Sequence, residues 1–156
     1  MDKTQPRRVS VIGAGTCDAA VYETARRVGA LLAEAGFAVV CGGLGGVMRA
    51  ACQGAREAGG TTIGILPGDD PAAANPYVDV PVVTGLGIAR NVLVVKNGEA
   101  AIAVAGAAGT LSEIGVALKL GKTVVALGRY GSLDGVIPAA TPEEAVALVA
   151  SLLGMA

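Results

Sequence analysis

A doubly wound α/β fold, with a mostly parallel sheet and helices on both faces, is what this chain predicts, and two observations carry it. Short apolar runs alternate with longer amphipathic segments along the whole sequence, the pattern of strands exchanging with helices. The runs are apolar and β-branched on both parities, as in VSVI, AIAV and TVVAL, which is what strands covered on both sides require.

Taken in order, the first strand spans Arg8 to Ile12 and leads to a helix from Ala19 to Ala35. A second strand, Ala38 to Cys41, precedes a helix from Val47 to Ala58. Strands at Thr61 to Leu66 and Val80 to Val83 flank PGDDPAAANPY, Pro67 to Tyr77, which is long enough to be a functional surface loop. Then come a helix from Ile88 to Asn97, a strand from Ala100 to Val104, a helix from Thr110 to Leu120 and a strand from Thr123 to Leu127. The last helix, Pro142 to Leu153, is the best marked. Thr141 is placed to be its N-cap, Pro142 sits in its first turn, and Glu144 completes a capping box. With 156 residues, 53% of them hydrophobic, the chain can bury one well-filled core, and 1–156 reads as a single domain.

Composition removes several classes of function. A net charge of -1 and a single Phe, three Tyr and no Trp provide neither the positive field nor the stacking platform that nucleic acid needs. Cys17, Cys41 and Cys52 are odd in number and have no histidine beside them, so neither a disulfide framework nor a metal site is expected. Cys17 lies near a helix start, where its pKa is expected to fall, but no base accompanies it. MDKTQPRR is followed by no signal-peptide core. The apolar stretch from Ala100 to Leu111 is interrupted by Gly106 and Gly109 and is shorter than the roughly 18 residues of a membrane span. A soluble, cytoplasmic protein with no membrane partner follows.

In such a sheet the ligand crevice lies beyond the carboxyl ends of the strands, and three of those turns are glycine-rich. They are Gly13-Ala14-Gly15-Thr16, Gly42-Gly43-Leu44-Gly45-Gly46 and Gly106-Ala107-Ala108-Gly109-Thr110. Glycine admits close backbone approach, and a helix start offers unpaired N–H groups and partial positive charge. Together they predict a phosphate-binding crevice. A dinucleotide fingerprint is absent, because Asp18 stands at its third glycine and Cys41-Gly42-Gly43 follows the second strand. Gly121-Lys122-Thr123 is not a P-loop either, since the earlier glycine would fall at Val116; it reads as a helix C-cap beside a basic residue. Glu113 has a bland reading, as Thr110-Leu111-Ser112-Glu113 matches a capping box. Arg90 has one too, as a solvated helix charge, although an arginine in a first turn opposes the helix dipole and invites an anion.

The sequence from Cys41 through Gly46 to Val47 and Met48, the Gly59-Gly60 pair, Ile63 to Pro67, Arg90 and Ala105 to Glu113 resemble LOG-type proteins. That superfamily includes nucleoside 5′-monophosphate phosphoribohydrolases and proteins labelled "possible lysine decarboxylase". Its PGGxGTxxE motif maps with Ala105 for the proline, Gly106 for the first glycine, Ala107 for the second, then Gly109, Thr110 and Glu113. The resemblance implies a Rossmann-like fold. It also implies phosphate binding by Gly13, Gly15, Thr16, Gly42, Gly43, Gly45, Gly46, Met48, Gly106, Gly109 and Thr110, and catalytic roles for Arg90 and Glu113. Two departures stand out: Gly87-Ile88-Ala89-Arg90-Asn91 keeps only the arginine of the enzymes' MHERK-like stretch, and the C-terminal part is short. The chain is most similar to a compact branch related to molybdenum-cofactor carrier proteins and to the DNA-processing protein DprA. No pyridoxal-phosphate lysine stands out.

Three functions remain open at this point. One is a carrier or sensor of a phosphorylated small molecule, such as a nucleotide monophosphate or the phosphopterin of molybdenum cofactor, with no cofactor required. Another is a phosphoribohydrolase cleaving an N-glycosidic bond. The third is an oligomeric scaffold with a vestigial pocket. Leu111, Ile114, Val116, Ala117, Leu118 and Leu120 cover most of one helix, more than a sheet face can bury, so a homodimer or higher homo-oligomer is expected through it.

Overall fold

The computed structural model describes residues 5–155; Met1 to Thr4 and Ala156, included in the expected domain, lie outside the described residues. Seven strands form one sheet: β1 (Arg8–Gly13), β2 (Ala38–Cys41), β3 (Thr62–Leu66), β4 (Val80–Val83), β5 (Ala100–Val104), β6 (Thr123–Leu127) and β7 (Ile137–Ala139). Their spatial order is β4-β3-β2-β1-β5-β6-β7, and every described pairing is parallel. The helices are α1 (Ala19–Glu34), α2 (Val47–Glu57), α3 (Arg90–Lys96), α4 (Ala108–Lys119) and α5 (Pro142–Leu152). The doubly wound expectation is met.

Each central strand divides its side chains between two cores. Val9, Val11, Ile102, Val104, Val125 and Leu127 pack with α1, α2 and α5. Ile12, Ala101, Ala103, Val124 and Ala126 pack with α3 and α4. The alanines on the second face bring α4 close to β5. Both edge strands carry a proline, Pro81 and Pro138, which is tolerated where a missing N–H faces outward. β7 was not expected from the sequence: three residues, one of them proline, have too little period to be read as a strand.

The α1–α2 contact sets the position of the crevice. A Cβ on Gly29 would lie 2.0 Å from Ala51 O, and one on Gly54 would lie 1.8 Å from Arg26 O. The two helix backbones therefore touch, and the start of α2 is held beside the loop that follows β1. Asp18 Oδ1 accepts from Val21 N at 2.8 Å and caps α1. The expected Thr141 cap of α5 is present, with Glu144 N donating to its hydroxyl at 3.1 Å and Ala140 N donating to Glu144 Oε2 at 3.1 Å. Gly121 ends α4 at φ +74°, with its N–H on Leu118 O. Lys122 donates to Val95 O, Lys96 O and Gly98 O at 2.9, 2.7 and 2.5 Å, tying the end of α3 to β6.

Two helix starts differ from expectation. The helix predicted from Ile88 begins with a 3-10 turn at Gly87–Ala89, and α3 proper starts at Arg90. The helix predicted from Thr110 starts two residues earlier, at Ala108, with Ala107 as its N-cap and no side-chain cap.

Candidate functional site

The strand order reverses direction between β1 and β5, and the loops after β2, β1 and β5 lie side by side at the carboxyl edge, where ligands bind in open α/β sheets. The loops after β1 and β2 meet backbone to backbone. Val47 N donates to Ala14 O at 3.0 Å, and a Cβ on Gly45 would lie 2.9 Å from Gly15 O. Gly46 has φ +59°, and a Cβ there would lie 2.3 Å from Ala14 O, so neither its conformation nor its surroundings admit a side chain. Gly13 is equally confined, by Val104 O and Val47 at 2.6 Å.

Arg90 crosses from α3 to the second loop. A Cβ on Gly42 would meet Met48 Sδ at 2.7 Å and Arg90 Nη2 at 2.8 Å, so both side chains lie over a bare backbone. Asn91, next along α3, accepts from Arg90 Nη1, and its own amide nitrogen is 3.9 Å from where a Gly109 Cβ would sit. The start of α3 thus bridges the Gly42 to Gly46 loop and the start of α4. Met48, 8% exposed, fills the space between Gly42 and Gly15. Gly15, Thr16 and Gly109 line the exposed rim.

The third loop is the most strained. Ala105 has φ +51°, the one non-glycine residue with positive φ among those described, and Gly106 follows at φ +123°. Outliers of this kind cluster at ligand sites. Gly106 has no room for a Cβ because the Thr110 side chain would be 2.6 Å from it. Tyr130 braces the loop from the far side, its hydroxyl donating to Ala107 O at 3.1 Å.

This geometry overturns the capping-box reading of Thr110 and Glu113. With Ala107 as N-cap, Thr110 lies inside the first turn against Gly106, and Glu113 is in the second turn, buried, with 7% exposure. Burial raises its carboxyl to about 7 against an ordinary 4.5, despite the opposing pull of Arg90. Arg90 is not a solvated charge either. Burial lowers its pKa, and Glu113 and Cys41 act to raise it. No salt bridge joins Arg90 to Glu113, and Arg90 Nε is buried and has no hydrogen-bond partner among the described residues. A buried donor left unpaired is costly, and here it belongs to a cation beside the starts of two helices, α2 and α4, that carry no side-chain cap. The arrangement suits an anion.

The three glycine loops are therefore unequal. The start of α1 is already occupied by Asp18, so the first loop contributes backbone shape more than donors. Cys17 also departs from expectation: burial, and then the neighbouring Asp18 charge, raise its pKa. Asp18, Asn91 and Tyr130 were missed as parts of the site. An Asp just before an apolar helix was a readable cap signal; nothing local marks Tyr130, which reaches Ala107 from beyond β6. Cavity volume does not mark the site. A cavity of ≈ 550 Å³ lined by Arg7, Arg8, Lys96, Glu99 and Lys122 lies at the amino-terminal ends of the strands. The candidate site is an open groove defined by loops.

Among the described residues no group of His, Cys, Asp or Glu is arranged to hold a metal ion, and no helix is long and apolar enough to cross a membrane. The model of the SLOG cluster4 family matches residues 6–151. A protein of Archaeoglobus fulgidus, described as uncharacterized, is 45% identical over 139 residues, covering 89% of this chain and 91% of its own. The molybdenum cofactor binding protein of Rippkaea orientalis is 34% identical, with a TM-score of 0.91 over 97% of this chain and 99% of that one. The molybdenum cofactor carrier protein of Chlamydomonas reinhardtii is 38% identical, with a TM-score of 0.87 over 96% and 99%. DprA of Streptococcus pneumoniae shares the fold, at 19% identity and a TM-score of 0.73 over 90% of this chain and 61% of that one.

Proposed function

This chain belongs to the SLOG cluster4 family, and from that premise we propose that it binds a phosphorylated, nucleotide-like small molecule in the glycine groove, as a carrier or sensor. One observation carries the reading. Arg90, with a buried and unpartnered Nε, lies over Gly42 beside two helix starts that lack side-chain caps. A phosphate there would accept from the arginine and from backbone N–H groups at once. Two solved relatives that are similar over their full length are a binding protein and a carrier protein of molybdenum cofactor, so the phosphopterin of that cofactor is the first ligand to test. Gly42, Gly43, Gly45, Gly46, Gly106, Gly109, Thr110 and Arg90 would hold its phosphate end, with Gly13, Gly15, Thr16 and Met48 forming the wall. No further cofactor is invoked.

A second reading, a nucleoside 5′-monophosphate phosphoribohydrolase, is favoured by Glu113. A carboxyl held near 7 beside a buried arginine is suited to protonate or orient a leaving group at neutral pH. Incubation with a panel of nucleoside monophosphates and a phosphopterin separates the two. Thermal stabilisation without release of ribose 5-phosphate supports the carrier, while release that is lost in Glu113→Gln supports the enzyme. If no phosphorylated compound raises the melting temperature, both readings fail. We further take residues 1–156 as one cytoplasmic domain that pairs with a second copy. The exposed Ile88, Val92, Leu111 and Leu120, on or flanking α3 and α4, are the expected contact.

A further inference from the structure

Beneath the Gly42 to Gly46 loop lies a pair of thiols that phosphate binding does not use. Cys41 ends β2 and Cys52 is on α2, one turn after Met48. Their Sγ atoms are 3.4 Å apart, both residues are 0% exposed, and neither is in a disulfide. A disulfide needs S–S of about 2.05 Å, so closure asks for about 1.4 Å of approach from this starting contact. Gly43 N donates to Cys41 Sγ at 3.3 Å, which fastens the phosphate loop to one of the two sulfurs.

We propose that Cys41 and Cys52 are a modification site, a dithiol that a hydroperoxide converts to a disulfide, and that the bridge resets the glycine loop. Cys41 is the attacking sulfur. The Cys52 S–H, the Gly43 N–H and the positive charge of Arg90 favour its thiolate, against the burial that opposes it. The thiolate displaces hydroxide from the peroxide O–O bond, giving a sulfenic acid and, with a proton, one water. Cys52 sulfur then attacks Cys41 sulfur, the S–O bond breaks, and the departing hydroxide takes the Cys52 proton as a second water. Two thiols lose two hydrogens and one peroxide becomes two waters.

The rate is set by access. Leu44, Tyr77 and Val78 cover the pair, and Asn75 pins that cover through its N–H to Gly43 O at 2.8 Å and its amide to Leu44 O at 2.9 Å. The segment from Pro67 to Tyr77 therefore has to open before hydrogen peroxide enters. In the bridged form Gly43 N exchanges the Cys41 thiol acceptor for a poorer disulfide sulfur, and α2 is drawn toward the end of β2. The effect on ligand rests on the phosphate reading above; the bridge and the loop change do not.

The test uses the full-length Cys17→Ser protein, which removes the half-exposed third thiol, treated with hydrogen peroxide, alkylated and mapped by mass spectrometry. A peptide pair joining Cys41 to Cys52 is expected, reversible by a phosphine and absent from Cys17→Ser/Cys52→Ala. Amide exchange at Gly43 should accelerate about fivefold in the bridged form, the loss of roughly one net hydrogen bond. A bound nucleoside monophosphate, if the reduced protein binds one, should weaken in parallel. Oxidation that leaves Cys41 and Cys52 alkylatable overturns the proposal, as does a bridge that leaves Gly43 exchange unchanged. Should Cys17→Ser fold poorly, the same map on the native sequence still identifies the partners. A reduced protein that binds no phosphate sinks the ligand reading alone.

Discussion

Replacing Glu113 with Gln should stabilise the protein, and by an amount that depends on pH in a defined way. The carboxyl sits at about 7 in the fold against an ordinary 4.5, a difference worth about 3 kcal/mol at about 1.4 kcal/mol per unit. Because the residue is buried, little of this is lost to solvent screening. Below about pH 4.5 folded and unfolded chains are both protonated and the penalty is absent. As pH rises toward 7 the unfolded chain releases its proton first, so stability falls; above about 7 the full penalty is in place. Glutamine keeps the shape and cannot ionise. Urea denaturation of both proteins from about pH 4 to 8.5 isolates this group, since other titrations cancel in the difference. The advantage of Glu113→Gln over the native protein should grow by about 3 kcal/mol across that range. A difference that stays flat, or that grows toward acid, would refute the assignment of Glu113 as a buried carboxyl opposed only partly by Arg90.

Four further outcomes follow from the geometry. Gly42→Ala puts a Cβ 2.7 and 2.8 Å from the ends of Met48 and Arg90; both can swing aside, so denaturation should show a loss of about 1–2 kcal/mol while stabilisation by nucleoside monophosphates disappears. Gly46→Ala meets backbone, not a flexible tip, at φ +59°, and should cost about 3 kcal/mol or more by the same assay. Lys122→Met removes three donors from carbonyls at the end of α3 and should lower unfolding free energy by about 2 kcal/mol. Leu111→Glu places a charge on the exposed apolar face of α4 and should abolish the pairing proposed above, leaving the mass of one chain in light scattering.

The parts of the fold that could be read in advance were those with enough length to show a period. β1, β2, β5 and β6 are apolar on both parities because both of their faces are buried, and α5 carries its start signal in Thr141 and Glu144. β7 could not be read, since Ile137–Ala139 forms only because β6 offers it an edge. The glycine loops were legible as strand-to-helix turns that gather at the carboxyl edge of the sheet, but their inequality was not. That depended on Asp18 folding back onto Val21 N. The capping role read for Glu113 was mistaken for a specific reason. The spacing from Thr110 imitates a capping box, and only the backbone at Ala105 and Gly106, which starts the helix earlier, turns the carboxylate inward. The nearness of Arg90 to Gly42 joins residues 48 positions apart in sequence (90 minus 42), a meeting that no local pattern encodes.

The bare start of α4 has a practical consequence for anyone improving this protein. Ala107 occupies an N-cap position where Asp, Asn or Ser is worth about 1 kcal/mol, so a search for heat-resistant variants would find Ala107→Asp early. Such a variant would fill the helix start with its own carboxylate, as Asp18 does for α1, and would compete with the anionic ligand proposed for the groove. Selection for ruggedness in the absence of ligand and selection for binding pull this one position in opposite directions, and variants should be ranked with ligand present.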